Sequence, residues 1–482
     1  MNDPVIAIIG LVAAIALLIF FVVRTKVHAL LALVIAASIA ALAAGMAPAE
    51  AIATITTGFG ATLASIGLVI GFGVMLGRVL ESSGAAERLA IALVRGLGKG
   101  REQWAMAGAG FIVSIPVFVD STFIILSPLV KSLARTAQRS VITLGIALAA
   151  GAVVMHHAVP PTPGPLAAAS IFGVPLGELF IWGTVIAIPA AVAMTLYATW
   201  VGPRIEAKMA GTAASEMAEE SIAVSAAQGG GSTLVAERAQ GEALAEFEAA
   251  AQDRVTKLPS LFMSLVPIFV PILLIVLNTS VAALAQNEAL NVPEWVAGSA
   301  AFIGSPVIAL LIGVLLAIYG LARQQTREGT LADMEKGIES AGIILLVTGA
   351  GGALGAVLRE SGLGDTIGQW VAGLPLPSIL IPFIIASLVR VVQGSGTVAI
   401  ITAASIAAPI MADVPGVNMT LAALAACMGA MVFSYFNDSL FWVVNRTLGI
   451  TDAKLQMRAW SVTTTIGWAV SLVILLVLNL FL

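Results

Sequence analysis

The chain has 482 residues, of which 59% are hydrophobic and only 10% charged, with a formal net charge of −4. A soluble domain usually carries about 25% charged residues, so a mean hydropathy of +1.03 excludes one and places the chain in a bilayer. The small net charge argues against nucleic acid or a basic lipid-binding arm as partners, and Cys427, the single cysteine, excludes an intrachain disulfide or a Cys-rich metal site.

A transmembrane helix needs about 20 apolar residues. Such runs lie near 4–23, 28–46, 57–80, 141–157, 176–201, 259–280, 299–322, 337–358, 417–434 and 459–481. Their lengths specify helices rather than barrel strands, so the expected class is an all-α polytopic membrane protein. The first run is followed by Arg24 and Lys26 instead of a small-residue cleavage site, which reads as a retained span and not a signal peptide.

The sequence repeats itself. Residues 71–84 read GFGVMLGRVLESSG and residues 349–362 read GAGGALGAVLRESG. Neither glycine run joins a soluble strand to a helix or ends in Gly-Lys-Ser/Thr, which excludes a nucleotide loop; small residues at this spacing let membrane helices pack closely. Downstream of each copy an apolar run is interrupted by a small polar cluster, Asp120-Ser121-Thr122 in one half and Ser395-Gly396-Thr397 in the other. Paired, interrupted apolar segments mark the binding site of a secondary transporter.

Basic residues orient the chain. Arg24, Lys26, Arg78, Arg88, Arg95, Lys99 and Arg101 fall in loops of one face, and the loops near Glu50, Glu178, Glu288 and Glu294 lack Lys and Arg; the basic face is cytoplasmic. The segment 104–130 has Lys99 and Arg101 before it and Lys131, Arg135 and Arg139 after it, so both ends belong on one side. It reads as a re-entrant hairpin with Asp120 near the tip, the alternative being one tilted span with an unusual Asp. Its counterpart is 377–411, with a tip at 393–397.

Between 202 and 257 the apolar pattern stops and Ala, Glu, Gln and Gly dominate. Residues 202–258 are therefore a linker, expected to be cytoplasmic, with 235–252 able to form a solvated helix. The first half is 1–201 and the second 259–482. Each would contain five transmembrane helices, a short amphipathic segment (85–97; 363–374) and one hairpin. Five crossings is odd, so the halves are inverted repeats and both termini periplasmic.

Polar residues inside these spans are candidates for function by default. His156-His157 precede Pro160-Pro161-Thr162-Pro163-Gly164-Pro165, where helix cannot continue; an opened backbone at that depth must line a cavity or be buried in protein. The matching break is 434–439, where Asn437 and Asp438 favour local bonds that compete with helix, and Asp438 could also cap the next helix. Arg390 would be costly in the membrane without an anionic partner, either a substrate carboxylate, for which its fork is suited, or an internal acid, Asp120 or Asp438. Ser395, Gly396 and Thr397 at a helix N-terminus form a ready anion site. Asp120 and His156 are the best coupling candidates, and Ser121 and Thr122 offer hydroxyls. His28, beside Arg24 and Lys26, reads as interfacial.

Three stretches are more specific: His156 with PPTPGP, LVRVVQGSGTVAIITAASIAAPI at 388–410, and FSYFND at 433–438. Through them nearly the whole chain outside the linker resembles the gluconate:proton symporter (gluconate permease) family of the ion transporter superfamily. The match covers His156, Pro160, Pro161, Pro163, Gly164, Pro165, Arg390, Gly394, Ser395, Thr397, Asn437 and Asp438. The resemblance implies a homodimer with a scaffold domain and a mobile transport domain working as an elevator, taking up gluconate, related sugar acids or D-serine with protons. This chain departs from the family where Thr162 and Tyr435 replace histidines, Val119-Asp120 replaces Tyr-Glu, and His157 replaces a glycine. These positions surround the expected cavity, so the identity of the acid and of the coupling ion stays open.

The resulting expectation is an inner-membrane symporter, not an enzyme and without cofactor, taking up a small polar monocarboxylate with H+. Arg390, Gly394, Ser395, Gly396 and Thr397 would hold the carboxylate. Asn437, Thr162, Thr122 and Ser121 would meet hydroxyls, and Asp120, His156 and Asp438 would bind or relay the coupling ion. The competing readings are a sodium-coupled carboxylate symporter, an amino-acid permease for D-serine or a relative, and a channel. A membrane enzyme built on Ser121 and His156 is the weakest.

Overall fold

The computed structural model describes residues 27–97, 100–221, 258–285, 292–362 and 376–482, with a few positions between 13 and 25. The expected span 4–23 lies largely outside the described residues, and the linker stretch 235–252 and amphipathic segment 363–374 lie wholly outside them. All regular structure among the described residues is helical.

The first half runs through α1 (Ala29–Ala43), α2 (Pro48–Ser82), α3 (Ala85–Leu97), α4 (Glu102–Val113), α5 (Val119–Thr136), α6 (Val141–Ala158), α7 (Pro163–Phe172) and α8 (Leu176–Ser221). The second contains α9 (Leu261–Ala285), α10 (Glu294–Ile303), α11 (Pro306–Gly320), α12 (Arg327–Glu360), α13 (Leu380–Gln393), α14 (Gly396–Ala412), α15 (Met419–Gly429), α16 (Ser439–Thr447), α17 (Ala453–Gln456), a π-helical turn Met457–Ser461 and α18 (Val462–Leu478). In each half a long helix bearing the repeat motif leads to a helix–break–helix unit, then to a short helix that breaks and restarts.

Six helices among the described residues are long and apolar enough to cross a membrane, and a bent pair makes a seventh. Of the expected spans, one is broken and two give shorter helices. The run 299–322 is split into α10 and α11 with a 57° bend, because Gly304 packs against the Leu274 carbonyl of α9 and Pro306 opens a new helix at N1. The run 417–434 stops at Gly429 and opens toward Asp438. The run 28–46 yields a helix of 15 residues, about 22 Å long, that ends where Gly45 takes φ 89°. The apolar pattern of α8 stops near Gly202, yet the helix continues to Ser221.

The two helices that carry the repeat pack against each other, with the second copy on residues 58–62 of α2 and the first copy near Gly337 of α12. α2 and α12 form the most extensive helix contact, with Gly58 against Gly352 and Ala356, and Gly352 against Thr62. Further along α2, Gly73 admits the Pro161 carbonyl and Gly77 the Pro116 carbonyl. The glycines of the motif thus let the backbones of both first-half breaks approach α2. Behind them α6 is buried on every side, the signature of a core helix, while large apolar side chains such as Phe262, Leu273 and Trp295 are exposed on the outside, as a lipid-facing surface requires.

Candidate functional site

Two breaks and two hairpin tips converge. α6 ends at Ala158, the Pro160–Pro161 peptide bond is cis, and α7 restarts with Pro163 behind Thr162. The Thr162 hydroxyl donates to the carbonyls of His156 (2.9 Å) and Val159 (2.6 Å). It satisfies carbonyls that the end of α6 leaves without helical partners. The first hairpin breaks between Val113 and Val119, and Thr122, fully buried, accepts from the Ser114 hydroxyl at 3.1 Å. Thr122 and Thr162, expected to meet substrate hydroxyls, make hydrogen bonds within the breaks. Ser121 turns to Glu81 of α2, leaving Asp120 as the member of its cluster that reaches the second half.

At the second tip α13 ends on Gly394, whose φ of 88° is left-handed and whose α-carbon lies against the Asn437 carbonyl. A Cβ fits neither that conformation nor that contact. Ser395 caps α14, its hydroxyl accepting from Val398 N at 3.4 Å. Asn437 and Tyr435 both donate to the Val391 carbonyl, at 3.1 and 2.6 Å. Asn437 thereby joins the second break to the end of α13.

Arg390, 3% exposed, pairs through Nη2 with Asp438 Oδ2. Asp438 also caps α16, its Oδ1 accepting from Leu440 N at 3.2 Å. The internal-acid and capping alternatives raised by the sequence are both realised. Ser434 donates its hydroxyl to Asp438 and accepts from Trp460 Nε1 at 2.9 Å, and its backbone is held by Ser461 and Thr464. None of these supporting residues was a sequence candidate. Arg390 Nε and Nη1 are buried and have no partner.

Asp120 lies in the first turn of α5, where a helix dipole favours negative charge. Its Oδ2 accepts from Ser439 at 3.3 Å, and its Oδ1 is buried without a partner. Asp438 and Arg390 are within its electrostatic reach. His156 is buried, its ring 6.0 Å from that of Phe118 in the first hairpin, with Nδ1 unpartnered. His157, noted in the sequence as a departure from the family but given no role there, is the histidine beside the second tip: its Nε2 faces Gly396. The signal available was a histidine at a break where relatives carry glycine.

The site therefore presents unused donors on a buried guanidinium, the Ser395-capped N-terminus of α14, an unfilled carboxylate oxygen and two imidazole nitrogens without partners. It can hold an anion beside a proton or cation.

The sequence model of the GntP family permease matches residues 6–236 and 231–481. The chain is 48% identical to an uncharacterized permease of Haemophilus influenzae over 98% of its own length and 92% of the relative's. It is 34% identical to the gluconate permease of Pseudomonas aeruginosa, covering 100% and 97%, and 30% identical to the high-affinity gluconate transporter of Escherichia coli, covering 99% of each. Its fold resembles the YdaH transporter of Alcanivorax borkumensis (TM-score 0.55, 18% identity, 89% and 87% covered) and MtrF of Neisseria gonorrhoeae (TM-score 0.59, 15% identity, 94% and 96% covered). With the family pattern running through both halves and relatives aligned from end to end, this multi-pass membrane protein belongs to the GntP family of permeases, which are transporters and not enzymes.

Proposed function

We propose that the chain is a proton-coupled symporter that takes up a small polar monocarboxylate, gluconate or a related sugar or hydroxy acid, across the cytoplasmic membrane. The observation that carries this reading is Arg390: a buried guanidinium whose Nε and Nη1 have no partner, at the end of α13 beside the N-terminus of α14. The carboxylate would sit between Arg390 and the Gly394, Ser395, Gly396 and Thr397 backbone, with Asn437 meeting a hydroxyl. Asp120, through its unpartnered Oδ1, would carry the proton, with His156 and Asp438 adjusting the field around it.

The recurring order of elements supports two inverted repeats, 1–201 and 259–482, with the linker cytoplasmic and both termini periplasmic. The family resemblance adds a homodimer whose hairpin-bearing transport domain moves as an elevator against a scaffold. Names of relatives that include gluconate and L-idonate transporters favour a sugar acid.

The test is uptake of labelled gluconate and other hydroxy acids into proteoliposomes. An inward proton gradient should drive accumulation, a protonophore should abolish it, and sodium should be without effect. Sodium-dependent, pH-insensitive uptake would overturn the coupling assignment, and flux that neither saturates nor shows counterflow would indicate a channel. Arg390→Gln should bind no acid. Asp120→Asn should lose gradient-driven accumulation while keeping part of its exchange.

A further inference from the structure

The imidazole of His157 is 5% exposed at the C-terminal end of α6. Its Nδ1 lies 2.9 Å from the Val153 carbonyl. A carbonyl only accepts, so Nδ1 carries the hydrogen, and in the neutral ring Nε2 is left as a bare acceptor. That atom is buried and makes no hydrogen bond within normal geometry, although the Ala430 carbonyl also lies near the ring. It faces Gly396 in the first turn of α14, where a Cβ would run into Nε2 and its neighbouring ring carbons. The ring also lies within electrostatic reach of Arg390, whose Nε and Nη1 are themselves unsatisfied. Buried polar atoms are nearly always paired, and an orphan in a native site calls for an explanation.

Donors without acceptors and an acceptor without a donor thus stand together at one hairpin tip. We propose that His157 is a specificity residue reading the carbon next to the carboxylate: Arg390 takes the carboxylate, and His157 Nε2 accepts a hydrogen bond from a hydroxyl on carbon 2. The substrate class is thereby narrowed to 2-hydroxy acids. This rests on the functional reading above, in which Arg390 holds the acid. A hydroxyl is favoured over an ammonium group because the latter would place a second positive charge beside Arg390. Gly396 serves the same end, since its missing side chain is what lets the tip close on the ring.

The experiment is competitive binding to the purified full-length protein in nanodiscs with matched ligands: gluconate against 2-deoxygluconate, D-glycerate against 3-hydroxypropionate, and D-glycerate against D-serine. The wild type should prefer the 2-hydroxy member by about tenfold or more, the ratio expected when a buried acceptor is left unpaired. His157→Asn keeps a donor for the Val153 carbonyl and removes the group at Nε2; it should bring the ratio close to one. His157→Gln, whose amide reaches the Nε2 position, should restore part of the preference. Gly396→Ala, whose methyl would press on the Nε2 edge of the ring, should reduce it.

Unchanged discrimination in folded His157→Asn would overturn the assignment, as would equal loss of both members of a pair or a preference for D-serine over D-glycerate. Arg390→Gln separates the two proposals. If it abolishes binding of every acid while His157→Asn leaves the ratios intact, the carboxylate site stands and the hydroxyl reader falls. If no acid binds the wild type, both fall.

Discussion

Arg390 and Asp438 form a buried ion pair, 3% and 8% exposed, and such a pair is fragile in a specific way. Removing one partner leaves a desolvated charge, at a cost of about 3–5 kcal/mol, whereas replacing both is far milder. Asp438→Asn retains the helix cap but strands the guanidinium. Its thermal unfolding midpoint should fall well below that of the wild type, and the double variant Arg390→Met/Asp438→Asn should recover much of the loss while binding no acid. A double variant no more stable than Asp438→Asn would show that the pair is not what holds the break together. Ser434→Ala should cost about 1–3 kcal/mol, because it leaves the fully buried Trp460 Nε1 without its acceptor; an unchanged midpoint would contradict that. Arg390 and Asp438 were legible in the sequence because intramembrane charges announce themselves. The roles of His157, Ser434 and Trp460 were not, since their meaning depends on helix rotation and on partners distant in sequence, such as Gly396 for His157 and Thr464, 30 residues on, for Ser434.

Among the elements, α4 of the first hairpin is pressed onto α6 through a reciprocal glycine seam. Gly110 lies on the Leu148 carbonyl and the Ala152 nitrogen, while Gly151 lies on the Ala107 carbonyl and the Phe111 nitrogen. Both contacts are with backbone, which cannot step aside without moving a helix. Gly110→Ala and Gly151→Ala should each destabilise by about 1–3 kcal/mol, the usual cost of overpacking, read as a lower unfolding midpoint and a smaller monodisperse fraction. Gly108→Ala, where a Cβ meets nothing within 4 Å, should be neutral or slightly stabilising, since alanine favours helix. The repeat motif and both hairpin breaks were readable because glycines, prolines and polar clusters interrupt apolar runs. The split between α10 and α11 was signalled too, by Gly304-Ser305-Pro306, but mean hydropathy over 299–322 masked it. A bend depends on how closely α9 approaches Gly304, which composition does not register.

For the whole molecule, the proposed orientation places the linker in the cytoplasm. With Cys427 replaced by Ala and Gly230 by Cys, a membrane-impermeant maleimide should label inside-out vesicles but not intact spheroplasts; the reverse would turn the topology over. The pairing of the two halves followed from the repeat, yet its result, the Ser439–Asp120 contact that ties a second-half break to a first-half tip, came only from three-dimensional packing. That convergence also has an electrical consequence. A lone guanidinium carried through the bilayer would feel about 2.3 kcal/mol for each 100 mV of membrane potential. In the elevator motion proposed above, Arg390 bound to Asp438 would move as a dipole with no net charge, so the potential would do no work on the pair as an empty site returns. The resting voltage of the cell would then neither speed nor stall that step through these two residues, leaving any voltage sensitivity to other charges, among them Asp120 and the proposed acid and ion.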